Sequence, residues 1–144
     1  MIADILAFGA HPDDTELCCS GTLAKLVQNG KKVSVVDLTR GEMGSRGTVE
    51  KLKKEAAKAA TILGLSSRDN VGLPDTELQN KKEFQLPIIE RIRHYRPEIC
   101  LIPSPRDRHP DHGNAASLLI DAIFYSGLVK KEKKGKDGEI QEPH

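Results

Sequence analysis

What most constrains the fold is a repeated alternation. Four short runs (4–10, 32–39, 70–73 and 98–103) read as strands, and stretches of helical length separate them. The first contains the unbroken apolar run Ile5-Leu6-Ala7-Phe8; the second is rich in valine, and the fourth carries Ile99-Cys100-Leu101-Ile102. Strands apolar on both faces and alternating with helices imply a mostly parallel sheet with helices on both faces. The first helix is expected from Thr15 or Glu16 to Asn29, with Leu17, Leu23, Ala24 and Val27 on one face and Gly30 as its stop. Thr48 is placed to cap a second helix ending at Leu63 before Gly64. A third runs from Glu83 or Pro87 to Tyr95, because Pro87 is tolerated only near a first turn. The last spans Asp111 to Leu128.

The 144 residues suit one domain, read as 1–129, followed by a polar loop or tail over 130–144. With 22 basic and 21 acidic residues, the net charge of +1 offers no field to attract nucleic acid. Three Phe, two Tyr and no Trp leave no stacking surface for bases. The longest apolar runs are too short to cross a bilayer, and the first residues lack a basic leader, so no membrane insertion is expected. Cys18, Cys19 and Cys100 do not make a disulfide framework, which points to a reducing cytoplasm.

Two polar clusters follow strands. Ala10-His11-Pro12-Asp13-Asp14-Thr15-Glu16 succeeds the first, and Arg108-His109-Pro110-Asp111-His112 succeeds the last. In open parallel sheets, ligands bind beyond the carboxyl ends of strands near a switch in strand order. Catalytic zinc commonly takes three protein ligands, and two His with one carboxylate is a standard set. His11, Asp14 and His112 are the candidate ligands. Asp13 is the candidate general base, and His109 the group that stabilises an oxyanion or protonates a leaving amine. Asp111 or Asp107 is placed to hold the His109 ring. Taken alone, Asp13 and Asp14 would read as a helix-capping pair; the joint pattern argues for a metal site. Two imidazoles favour zinc over magnesium. Glu16, in the first helical turn, reads as structural. A dinucleotide loop is absent, because Gly9 is followed by Ala10-His11-Pro12.

The stretches Ala10 to Glu16 and His109 to His112 resemble, complete, the two signatures of the PIG-L/LmbE family of zinc-dependent N-acetylglucosaminide deacetylases. Stretches 4–10, 37–42, 44–48 and 107–109 are most similar to the deacetylases of bacillithiol biosynthesis. The resemblance implies a Rossmann-like α/β fold and a Zn2+ held by His11, Asp14 and His112, with Asp13 as base and His109 as acid or electrostatic partner. It implies hydrolysis of the N-acetyl group of a small-molecule N-acetylglucosamine conjugate, such as N-acetylglucosaminyl malate. Arg46 and Arg108 are the candidates for binding an anionic aglycone, since the guanidinium fork suits carboxylates. Two departures stand out. Leu52 replaces an arginine that bacillithiol-type members carry, and family members run longer, so a truncated domain with an open edge strand and an incomplete pocket is expected. Cys18, where a small glycine is common, reads as packing. The rival reading is a non-catalytic zinc-binding domain or inactive fragment. Homo-oligomerisation is left open.

Overall fold

In the computed structural model, which describes residues 2–128 and 142–144, the alternation becomes eight elements. These are β1 (Ile5–Gly9), α1 (Asp14–Gln28), β2 (Val33–Thr39), α2 (Val49–Leu63), β3 (Ser67–Leu73), α3 (Lys82–Tyr95), β4 (Ile99–Leu101) and α4 (Pro110–Ser126). The strands form one parallel sheet in the order β3-β2-β1-β4. Chain order runs outward from β1 through β2 to β3, then crosses to β4 on the other side of β1. The switch in direction therefore lies between β1 and β4, whose carboxyl ends carry the two polar clusters.

Strand alternation divides the core. Ile5 and Ala7 of β1, with Val33 and Val35 of β2, pack beneath Leu23, Leu26 and Val27 of α1. Leu6, Phe8, Val36 and Leu38 face the other way, against Ile88, Ile89 and Ile92 of α3 and Leu118, Leu119 and Ala122 of α4. Burying each of the Val, Leu, Ile and Phe side chains among these contributes roughly 1.5–3 kcal/mol. The Thr48 side chain accepts the Lys51 N–H at 3.2 Å to begin α2, and Gly64 ends it with φ 68°, a left-handed conformation that glycine adopts without strain.

Several expectations need correction. β3 begins at Ser67 rather than at residue 70, because the polar stretch from Ser67 pairs with β2 from Ser34 onward. β4 is shorter than 98–103. α3 starts at Lys82, so Pro87 lies inside the helix and removes the N–H that would bond the Glu83 carbonyl. Leu17 does not share the buried face of α1: it is 79% exposed, and Cys19, Leu23, Leu26 and Val27 form that face instead. Cys18 does not pack either; it is exposed. β4 pairs only with β1 among the described residues and leaves Ile99 54% exposed. Of the tail expected over 130–144, residues 130–141 lie outside the described residues; at its end, His144 Nε2 donates to the Pro97 carbonyl at 2.7 Å.

Candidate metal centre

The first cluster is held by the turn that leaves β1. A Cβ built on Gly9 would lie 2.9 Å from the His11 carbonyl oxygen, so the chain doubles back as closely as glycine permits. The Ala10 carbonyl accepts both the Thr39 N–H at 3.0 Å and the Thr39 hydroxyl at 2.9 Å, which pins this turn to the end of β2. Asp14 then opens α1 and accepts the His11 backbone N–H at 2.8 Å. Asp13 occupies the N-cap position, yet its side chain makes no capping bond and is exposed. Its carboxylate is therefore available for other work.

The second cluster is built by the start of α4. His109 is the N-cap residue, and its Nδ1 accepts the Asp111 N–H at 3.2 Å, with Pro110 at the first helical position. This turn brings Asp111 and His112 into the first turn of the helix. Asp107 accepts the His109 N–H at 2.9 Å and pairs with His112 Nδ1 at 3.0 Å.

The clusters meet across the switch point. Nδ1 of His11 is 3.4 Å from one Asp14 oxygen, and Nε2 of His112 is 3.2 Å from the other. The outer nitrogens have separate partners: His11 Nε2 is 3.1 Å from both Asp75 Oδ1 and Asp111 Oδ2, while His112 Nδ1 faces Asp107. Each carboxylate partner fixes the N–H on the outer nitrogen and turns the inner one toward Asp14. One ligand atom from each of His11, Asp14 and His112 lies within 4.8 Å of the other two, and this set of two imidazoles and a carboxylate fits a catalytic zinc.

In a second group, His11, His109 and Asp111, one ligand atom from each also lies within 4.8 Å of the others. Its members are already engaged with one another. Asp111, 1% exposed, accepts the Thr76 N–H at 2.9 Å as well as facing His11, and His109 Nδ1 accepts from the Asp111 backbone. We read that group as support for the first.

Electrostatics agree with the crowding. Burial works against charge on His11, but the hydrogen bond and charge of Asp14, with Asp111 and Asp75, outweigh it and raise the ring to about 9. Burial also opposes ionisation of Asp14; hydrogen bonds from His11 and the charges of His112 and His11 override it and hold the carboxyl below its usual range. Without metal, His11 therefore carries at Nδ1 a proton that an ion must displace.

The structure also places residues that sequence patterns did not single out. Asp75, on the turn after β3, supports His11, accepts the Met43 N–H at 2.8 Å and donates its own N–H to Glu42 at 2.9 Å. Its signal was positional: a carboxylate just past a strand's carboxyl end, beside Pro74. Thr76 adopts φ 65°, and its N–H bonds Asp111. The expected carboxylate grip on the His109 ring is replaced by the Asp111 backbone N–H, and Asp107 grips His112 instead.

A cleft of about 320 Å³ opens beside the histidines, lined among others by His11, Asp13, His109, Asp75, Arg46 and Leu52. Arg46 thus reaches the site wall, whereas Arg108 is exposed and does not line this cleft. Another cleft, of about 470 Å³, is lined among others by Asp14, His112, Cys18 and Cys100. No helix among the described residues is long and apolar enough to cross a membrane.

Comparison with known proteins bears on the fold and the family. The structure superposes on a conserved protein from Thermus thermophilus with a TM-score of 0.87 and 45% identity, covering 90% of this chain and 59% of that one. Diacetylchitobiose deacetylase of Thermococcus kodakarensis is 34% identical over 88% of this chain and 51% of its own length. A Bacillus anthracis protein, described as a probable N-acetyl-alpha-D-glucosaminyl L-malate deacetylase 2, is 28% identical over 83% of this chain and 58% of its own. The chain spans about half the length of the curated relatives it matches. Residues 6–123 match the family described as PIG-L, GlcNAc-PI de-N-acetylase. This parallel α/β chain, with its two histidine clusters joined across one switch point, belongs to the PIG-L family.

Proposed function

We propose that this chain carries a divalent-metal N-deacetylase site, which hydrolyses the acetamide of an N-acetylglucosamine conjugate to acetate and a free amine. One observation carries the reading. The inner ring nitrogens of His11 and His112 both face Asp14, at 3.4 and 3.2 Å, beside a cleft whose wall includes the uncapped Asp13 and His109. In this reading His11, Asp14 and His112 hold Zn2+. When bound, the ion supplies Lewis acidity to the amide oxygen and to the attacking water.

The chain's own groups do the rest. Asp13 accepts the proton of the attacking water. His109 accepts a backbone N–H at Nδ1, so its ring proton sits on Nε2, from which it donates to the developing oxyanion or the departing amine. Asp75 and Asp111 keep the His11 ring oriented, and Asp107 keeps that of His112.

The finer reading is N-acetylglucosaminyl malate as substrate, in bacillithiol-type thiol biosynthesis in a reducing cytoplasm. The Bacillus relative's description and the three free cysteines support it. Arg46, in the cleft wall, takes the malate carboxylates, with Arg108 further out on the surface. A second reading, a metal-binding domain without turnover, is favoured by Leu52, which puts an aliphatic wall in the cleft.

The test is acetate release from N-acetylglucosaminyl malate, and from N,N'-diacetylchitobiose as the neutral comparison, with Zn2+ added. The proposal expects release by the wild-type chain, cut by a factor of roughly 10²–10⁴ in Asp13→Asn, with malate the better substrate. One equivalent of zinc bound with no acetate from either substrate would establish the second reading. Faster release from the disaccharide would overturn the malate assignment alone.

A further inference from the structure

Arg68 is the second residue of β3, with its side chain only 7% exposed. Its guanidinium reaches past β2 to the turn that carries His11 and Asp14, beside a cleft that Pro12, Asp37 and Ala56 also line. Nη2 donates to the Pro12 carbonyl at 2.5 Å and to Asp37 Oδ1 at 3.0 Å, while Nε donates to Asp37 Oδ2 at 2.8 Å. Nη1 pairs with Glu16, and Nη2 also lies 3.3 Å from that carboxylate. Nη1 is 3.4 Å from the Ala56 carbonyl of α2.

The partners are not scattered. Pro12 lies between His11 and Asp13, and Glu16 lies two residues beyond Asp14, so the fork grips the segment proposed to supply two of the three ligands both from within and just past its end. Asp37 anchors the other side of the fork at the end of β2. A buried ion-pair network is weak evidence for stability, because well-packed apolar groups often replace one without loss. What such a network supplies that apolar groups do not is a fixed set of distances. The planar fork of arginine reaches Pro12, Glu16, Asp37 and Ala56 from three nitrogens held in fixed geometry, which the single ammonium nitrogen of lysine does not.

We infer that Arg68 is a positioning residue of the metal centre: by clamping Pro12 and Glu16 to Asp37, it sets where His11 and Asp14 stand relative to His112. The inference rests on the reading of those three residues as ligands. Arg68 touches neither the ion nor substrate, and it acts through the backbone of the β1–α1 turn.

The test compares Arg68→Lys, Glu16→Gln and Ile89→Val, the last a core substitution on the opposite face of the sheet. Zinc affinity is measured by competition with a chromophoric chelator, the Co2+ visible spectrum reports coordination geometry, and thermal unfolding reports stability. Arg68→Lys is expected to weaken zinc binding about 10–100-fold, as loss of outer-shell support does, and to alter the Co2+ spectrum. Ile89→Val should lower the melting temperature and leave both metal readouts unchanged. If Arg68→Lys does not fold, Glu16→Gln decides, with an expected loss of about tenfold. Binding within twofold of wild type, with an unaltered Co2+ spectrum, in the folded Arg68 or Glu16 variant overturns the inference. A wild-type chain that binds no zinc overturns the underlying ligand reading instead.

Discussion

Gly9 and Gly21 lie on either side of His11 and Asp14, the first two proposed metal ligands, and should respond to alanine with opposite signs. At Gly9 an added Cβ would sit 2.9 Å from the His11 carbonyl oxygen, 3.3 Å from Asp14 Cβ and 3.4 Å from Asp37 Oδ1. The nearest atom is backbone, so a rotamer change gives no relief; the turn itself must move. Overpacking of this kind costs typically about 1–3 kcal/mol. At Gly21, inside α1, an added Cβ meets nothing within 4 Å. There alanine gains helix propensity, worth about 0.8–1.0 kcal/mol over glycine. Urea unfolding with a chelator present should separate Gly9→Ala from Gly21→Ala by about 2–4 kcal/mol, the sum of the two effects. Zinc affinity should fall only in Gly9→Ala, because the carbonyl that must yield belongs to His11. A Gly9→Ala protein as stable as wild type, with unchanged zinc affinity, would show that the turn has slack and refute the claim that close packing holds the ligands.

Other outcomes follow from the same geometry. Asp107→Ala frees the His112 ring, and zinc affinity measured by competition should drop about 10–100-fold with little change in fold by circular dichroism. In the metal-free protein His11 is raised to about 9, above its unfolded value near 6.5. Its contribution to stability is therefore complete below pH 6.5 and lost as pH rises through 9. Urea midpoints taken with chelator should fall across that window, and should fall less in His11→Gln. Burial pushes the Cys100 thiol up to about 11, so at pH 8 about one in a thousand of these groups is thiolate. Mass spectrometry after iodoacetamide treatment should find exposed Cys18 modified first and Cys100 last, with the Cys100 rate rising about tenfold per pH unit. Equal rates at the two cysteines would contradict the burial of Cys100.

What the sequence made legible was local. The apolar runs of β1 and β2, the Thr48 cap and Gly64 stop, and the His-Pro-Asp spacing of both clusters each rest on neighbours in the chain, and patterns of that kind survive without a structure. The first part of β3 was hidden because Ser67, Arg68 and Asp69 are polar, as a loop would be; the strand tolerates Arg68 because it is paired with Asp37 on β2. Asp75 and Arg68 act on the first cluster from far along the chain, and only the sheet order brings them there. Leu17 misled for a simpler reason: an apolar residue on an amphipathic helix need not lie on its buried stripe, and Cys19 does. Neither Asp107 nor Asp111 holds the His109 ring by its carboxylate: Asp107, before α4, pairs with His112 Nδ1, while the Asp111 carboxylate faces His11 Nε2 and only its backbone N–H reaches His109.

The account rests on which nitrogens and which carboxylate face a common point. A crystal of this chain soaked with Zn2+ and measured at the zinc absorption edge tests this directly. We predict one anomalous peak bounded by His11 Nδ1, Asp14 and His112 Nε2, with Asp75, Asp111 and Asp107 still holding the outer ring nitrogens. A peak among His11, His109 and Asp111 instead, or none near Asp14, would contradict it.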